Sequence, residues 1–241
     1  MKNLKEKLYT IPVTDAFRED SECPLCSMYK QLESNAVEYT MGPSYMEDDV
    51  RAETDKKGFC EKHIRMMYKN QNRLGLALML STHMDETIRT IEKLSTSQKP
   101  ASGSFFKKPA CSDVKSYIDQ LHSTCFICER IESTFQRYLA TILYLYKTED
   151  DFKQTFNASK GICTKHYGGL YQLAISSLTG KQLECFLSDL NRIYLSNMKR
   201  VREDLEWFKD KFDYRNNDAP WKNSQDALPR TVIKTNSVYL E

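Results

Sequence analysis

Cys23-Pro-Leu-Cys26 with Gly58-Phe-Cys60-Glu-Lys-His63 returns 102 to 103 residues later as Cys125-Phe-Ile-Cys128 with Gly161-Ile-Cys163-Thr-Lys-His166. Each copy reads C-x2-C, a gap of 33 or 34 residues, then C-x2-H. Three thiolates and one imidazole form a complete ligand set for a tetrahedral ion, zinc foremost. Residues three apart on a helix or tight turn lie on one side. Cys60 and His63 can therefore offer sulfur and nitrogen to one ion, as can Cys163 and His166, and each Cys-x2-Cys can offer two sulfurs. Gly58 and Gly161 allow a sharp turn into the second pair. The periodicity after that pair predicts that it opens a helix, whose free amides favour thiolate charge.

Closure within each repeat assigns Cys23, Cys26, Cys60 and His63 to one ion, and Cys125, Cys128, Cys163 and His166 to another. Closure across the repeats would use the same eight residues. The expected cofactor is zinc, two ions per chain. An iron–sulfur cluster ranks behind zinc because histidine ligation of clusters is unusual. A redox reading of Cys-Pro-Leu-Cys lacks the βαβ context of a thioredoxin-like motif. The gap exceeds the roughly 12–20 residues of common fingers and ribbons, so no standard finger class is assigned. Four protein ligands leave no position for water, which disfavours hydrolysis at these ions.

The segments around the motifs carry helical spacing. Between Lys181 and Phe212 the apolar positions are Leu183, Phe186, Leu187, Leu190, Ile193, Tyr194, Met198, Val201, Leu205, Phe208 and Phe212, the stripe of a long amphipathic helix. Ile64, Met67, Leu74, Leu78, Met84, Ile88 and Ile91 continue the pattern after His63, and Cys26–Tyr39 and Cys128–Tyr146 also read as helices. Gly and Pro together number only 15 of 241 residues, and Asn-Gly and Asp-Gly hairpin signals are absent. The fold class is all-α: two tandem pseudo-repeats, each carrying a CxxC…CxxH metal site. Glu47-Asp48-Asp49 and Glu149-Asp150-Asp151 extend the repeat, and such triplets suit the first turn of a helix. The domain reading is 1–95 for the first repeat, 96–112 for a polar linker, 113–214 for the second repeat with the long helix, and 215–241 for an irregular tail packed on the helices. Cys111 and Cys185 are expected as free, at least partly buried thiols, and His83 and His122 as ordinary surface or core histidines.

Charge narrows the function. With 35 basic and 33 acidic residues the net charge is +2, which argues against nucleic acid or an anionic membrane as partner. Lys199, Arg200 and Arg202 are answered by Glu203, Asp204 and Glu206. The longest apolar stretch, Leu74–Leu80, falls far below the ~20 residues of a membrane span. Met1–Leu8 has no apolar run of signal-peptide length. A cytoplasmic protein is expected, where paired Cys/His motifs read as metal ligands rather than disulfides.

The two Cys/His units, Leu74-Gly-Leu-Ala-Leu78, and the ending Phe212-Asp-Tyr-Arg215, Pro220-Trp221 and Asp226-Ala-Leu-Pro-Arg230 resemble a bacterial domain-of-unknown-function family, found largely in anaerobic Firmicutes. The resemblance covers nearly the whole chain. It implies an intracellular helical protein with duplicated Cys/His motifs and supplies no activity. Some members carry an ABC-transporter substrate-binding label, which the lack of an alternating strand–helix pattern here does not support. The leading functional expectation is a structural zinc protein that acts as a scaffold or through a protein partner. Its rivals are a thiol-based redox or metal sensor, and an enzyme with a site between the repeats built from Glu47, Glu149, Tyr214, Arg215 and Trp221. No Walker loop, dinucleotide fingerprint, H-E-x-x-H or G-x-S-x-G motif is present.

Overall fold

The computed structural model describes residues 9–97 and 112–240. Among these the regular structure is helical and there is no strand. The α-helices run α1 (Thr10–Arg18), α2 (Pro24–Met41), α3 (Asp48–Lys57), α4 (Glu61–Lys69), α5 (Arg73–Ser97), α6 (Asp113–Ser123), α7 (Phe126–Thr148), α8 (Asp150–Ala158), α9 (Thr164–Ser177), α10 (Gly180–Asp210) and α11 (Ala227–Asn236). Single 3-10 turns occupy Pro43–Met46 and Tyr214–Asn216. The order from α2 to α5, a long helix, two shorter ones and a second long helix, returns from α7 to α10. The acidic triplets sit as the reading expects: Asp48 and Asp49 in the first turn of α3, and Asp150 and Asp151 in that of α8.

The chain divides into two compact units, residues 1–31 with 135–241, and residues 32–134. The division falls inside α2 and α7, not at the linker. That linker lies largely outside the described residues, while Ser95–Ser97 belong to the end of α5.

The split unit has an aromatic core. Phe17 of α1 meets Phe152 and Phe156 of α8 at ring separations of 5.3 and 5.5 Å. Tyr146 of α7 stands edge-on to Phe186 of α10, 89° between rings 4.9 Å apart, a favoured geometry. Tyr146 also donates its hydroxyl to Asp189 at 2.6 Å, so the ring is buried without stranding its polar tip. The tail is not irregular as expected. Residues 227–236 form α11, with Ala227, Arg230, Ile233 and Lys234 buried against α9 and α10. Pro229 falls in the first turn, where its missing N–H has no helical acceptor to lose.

The contiguous unit is smaller and rich in sulfur, with Met41, Met67 and Met79 buried beside Val37, Val50 and Leu76. Polar bonds tie α3 to α5. Arg51 donates to the Leu78 carbonyl and to Thr82 Oγ1, at 3.3 and 3.0 Å. Thr82 donates to Asp55 Oδ1 at 2.6 Å, and His83 donates Nδ1–H to the Asp55 carbonyl at 2.7 Å.

Phe156 has no exposed surface. Phe156→Ala should cost about 3–5 kcal/mol in chemical denaturation, whereas Tyr214→Ala, at a residue 87% exposed, should stay within about 0.5 kcal/mol.

Candidate metal centres

All four half-motifs stand at helix N-termini. Cys60 and Cys163 are the N-cap residues of α4 and α9, in extended conformation (ψ 164° in both). The turns before them require Gly58 at φ +59° and Gly161 at φ +77°, where a side chain would be strained. At Gly58 a Cβ would also meet the His83 ring at 2.9 Å. Cys23 precedes Pro24, the first residue of α2, and its carbonyl accepts from Cys26 and Ser27 N–H. Proline suits this position because the N–H it lacks is unpaired there in any case. The Cys125 carbonyl accepts from Glu129 N–H to open α7, and its Sγ faces the Cys128 N–H at 3.5 Å. The positive end of a helix dipole thus lies behind each pair of ligands.

The half-motifs combine across the repeats. Cys23, Cys26, Cys163 and His166 form one cluster, and Cys60, His63, Cys125 and Cys128 the other, with all ligand atoms of a cluster within 4.8 Å of one another. This corrects closure within each repeat. The reason lies in the helix lengths. The 18 residues of α2 run about 27 Å from Cys23, and the ten of α3 cover only about 15 Å on the return. The 23 residues of α7 and nine of α8 repeat the mismatch.

Each cluster lies within one compact unit. In the split unit, Cys26 Sγ is 3.6 Å from Cys163 Sγ, and His166 Nδ1 lies 3.2–3.5 Å from the three sulfurs. In the contiguous unit, Cys60 Sγ is 3.8 Å from Cys128 Sγ, and His63 Nδ1 is 3.3 Å from all three sulfurs. A zinc tetrahedron with Zn–S about 2.3 Å and Zn–N about 2.0 Å has S···S edges of about 3.8 Å and S···N edges of about 3.5 Å. The donor sets therefore fit such an ion in number, type and spacing.

These closely set groups compete for charge. Burial, reinforced by Cys163, pushes the Cys23 thiol up to about 12. Cys26 is pushed up too, chiefly by its contact with Cys163, while contacts from Cys23 and Cys26 hold Cys163 well below the thiol range. In the other cluster burial is the largest single influence on Cys125 and opposes its ionisation, but the His63 hydrogen bond and the bonds from the Cys128 and Cys60 backbone and the Cys128 thiol together outweigh it and draw the thiol down to about 6. Burial and the Cys125 charge push Cys128 up to about 12. Burial also works against charge on His63, yet its bonds to Cys125 and Glu33 raise it to about 9. A divalent cation relieves this competition by replacing protons.

Residues outside the motifs complete the surroundings. Glu33 lies seven residues after Cys26, two turns along α2, and its carboxylate accepts a hydrogen bond from His63 Nε2–H at 3.0 Å. That bond fixes the ring so that Nδ1 faces the sulfurs. At the matching position after Cys128 stands Phe135, whose ring lies 5.2 Å from that of His166. Ser237 donates its hydroxyl to Cys163 Sγ at 3.0 Å. The seven-residue spacing from the motif cysteines, which returns to the same helix face, was the one sequence signal for Glu33 and Phe135. Ser237 carried none.

Other candidates fall elsewhere. Glu47 and Glu149 are N-cap residues. Tyr214 is exposed, Arg215 pairs with Asp213 at 2.6 Å, and Trp221 packs on Phe208. Cys185 is exposed, not buried as expected, and Cys111 lies outside the described residues. His83 braces α5 on α3, and His122 is exposed.

The chain belongs to a family of unknown function (DUF6062), whose model matches residues 4–241. No curated protein and no solved structure matches it.

Two outcomes follow from the pairing and its charges. Cys23→Ser combined with Cys163→Ser should lose one metal equivalent by elemental analysis, because both belong to one cluster, while Cys23→Ser with Cys60→Ser should lose two. At neutral pH the raised groups Cys23 and Cys26, and Cys128 and His63, hold protons that ligation must expel. Metal affinity should therefore rise with pH, by about a hundredfold per unit between pH 7 and 8. Calorimetry in buffers of differing ionisation enthalpy should count at least two protons released per ion.

Proposed function

We propose that this protein is a two-site structural zinc protein that acts as a scaffold for a protein partner in the reducing cytoplasm. The observation that carries the reading is the pair of Cys3His donor sets at tetrahedral spacing, each drawn from two helix N-termini. Four protein ligands per ion leave no position for substrate or water, which favours a structural role over hydrolysis. Thiolate ligands favour a thiophilic ion over magnesium or calcium. Free thiols require a reducing compartment, and no described helix is long and apolar enough to cross a membrane. The recurring order of helices and motifs supports an origin by internal duplication.

Elemental analysis and native mass spectrometry on protein purified anaerobically, without affinity-tag metal, test the assignment. Two zinc ions per chain are expected, and their removal by a chelator should lower the thermal midpoint because binding energy is folding energy here. Iron with stoichiometric sulfide would replace the reading by electron transfer. Metal-free protein that stays folded would replace it by dithiol chemistry.

A further inference from the structure

The two clusters are fastened differently. In the contiguous unit the half-motifs are clasped directly: Phe126 N–H donates to the Gly58 carbonyl at 3.1 Å, and Thr124 Oγ1 to the Lys57 carbonyl at 2.9 Å. The same two positions in the split unit are Pro24 and Glu22. Proline has no N–H, and an ionised carboxylate only accepts, so neither bond can form.

A buried lysine from the C-terminal helix takes their place. Lys234 is 1% exposed and donates Nζ–H to the Glu22 carbonyl at 2.6 Å and to the Lys160 carbonyl. Those are the residues at the entry to each half-motif. Its charge is balanced by Glu22 Oε2 at 3.2 Å, a carboxylate that also takes Arg200 at 2.6 Å. Thr164, beside the ligand Cys163, donates Oγ1–H to the Lys234 carbonyl at 3.0 Å, and Ser237 reaches Cys163 itself. Further out, Tyr239 and Ser27 share a hydrogen bond of 3.2 Å. The C-terminal segment therefore crosses both half-motifs as a strap.

Exposure follows the same division. Cys23, Cys26, Cys163 and His166 are all buried, whereas Cys60 and Cys128 are partly exposed. Ligand exchange at a filled tetrahedral ion needs an incoming donor to reach the metal alongside a departing one.

We propose that the contiguous-unit cluster is an exchange site, which passes a thiophilic divalent ion to and from soluble thiolate or chelating carriers, while the strapped cluster keeps its ion. The inference rests on both clusters holding metal, and gives the contiguous-unit ion a transfer role in addition to its structural one. In the exchange step the carrier's donor atom bonds to the ion, the bond to Cys60 or Cys128 Sγ breaks, and the freed thiolate takes a proton from water. No electron moves.

The test uses the full chain loaded with two zinc ions, confirmed by elemental analysis, and chased with EDTA while N-ethylmaleimide traps freed thiols. Two phases of one equivalent each are expected, at least tenfold apart in rate. Peptide mapping should find Cys60, Cys125 and Cys128 alkylated in the fast phase and Cys23, Cys26 and Cys163 only in the slow one. Lys234→Met leaves Glu22 its Arg200 partner and should speed the slow phase at least tenfold with the fast phase unchanged. Ser237→Ala, which removes a single hydroxyl, should move the same phase in the same direction by a smaller factor. One common rate, or early alkylation of Cys23, Cys26 and Cys163, would overturn the exchange role. A slow phase indifferent to both variants would overturn the strap. Failure to load two ions in the first place would instead remove the metal reading beneath it.

Discussion

The meeting of two helix N-termini at each Cys/His cluster is the constraint on which the rest of this molecule depends. A Cys-x2-Cys or Cys-x2-His turn places its ligand atoms beside unpaired amides and the positive end of a dipole. Joining two such turns puts four donors at tetrahedral spacing and fixes where two helices begin, so the two clusters together set the starts of four. The long helices follow from those starting points, and their length forces each half-motif to close with a half-motif of the other repeat.

The clusters share a donor set but differ in surroundings. One has a carboxylate behind its histidine and direct clasps between its turns. The other has an aromatic ring beside its histidine and borrows a lysine from α11, which falls outside the repeated order, and a serine from the residue that caps it. With Glu22 at the place of Thr124 and Pro24 at that of Phe126, two donors are missing; the buried ammonium serves one of the carbonyls so left, that of Lys160, and binds the Glu22 carbonyl across from it. Such an ammonium is costly to desolvate, and burial lowers the pKa of Lys234 accordingly. It is tolerated because carbonyl dipoles and the Glu22 carboxylate surround it.

Much of this was legible in the residues. The eight ligands follow from motif spacing, the helix starts at Cys60 and Cys163 from the glycines before them, and the long α10 from its stripe at Phe186, Leu190, Ile193 and Val201. The pairing was not legible, because both closures use identical spacings and only the rigid lengths of α2 and α7 distinguish them. Helix α11 escaped notice because two of its buried positions are Arg230 and Lys234, residues that read as solvent-facing until their partners are known. Cys185 misled for the opposite reason: it is a residue type usually buried, yet it stands one position out of phase with Phe186 on the buried face of α10.

The crossed closure also sets an order of assembly. One cluster joins residues 62 apart, His63 to Cys125, and the other joins residues 137 apart, Cys26 to Cys163, with the first loop nested inside the second. Closing the longer loop alone costs about 0.7 kcal/mol more chain entropy than closing the shorter. Once the inner loop is sealed, its 62 residues no longer count as free chain in the outer one. During synthesis the inner set is also complete first, at Cys128 rather than His166, and domains generally fold as they emerge. The outer cluster, and the C-terminal strap across its two half-motifs, are therefore expected to close after the inner one.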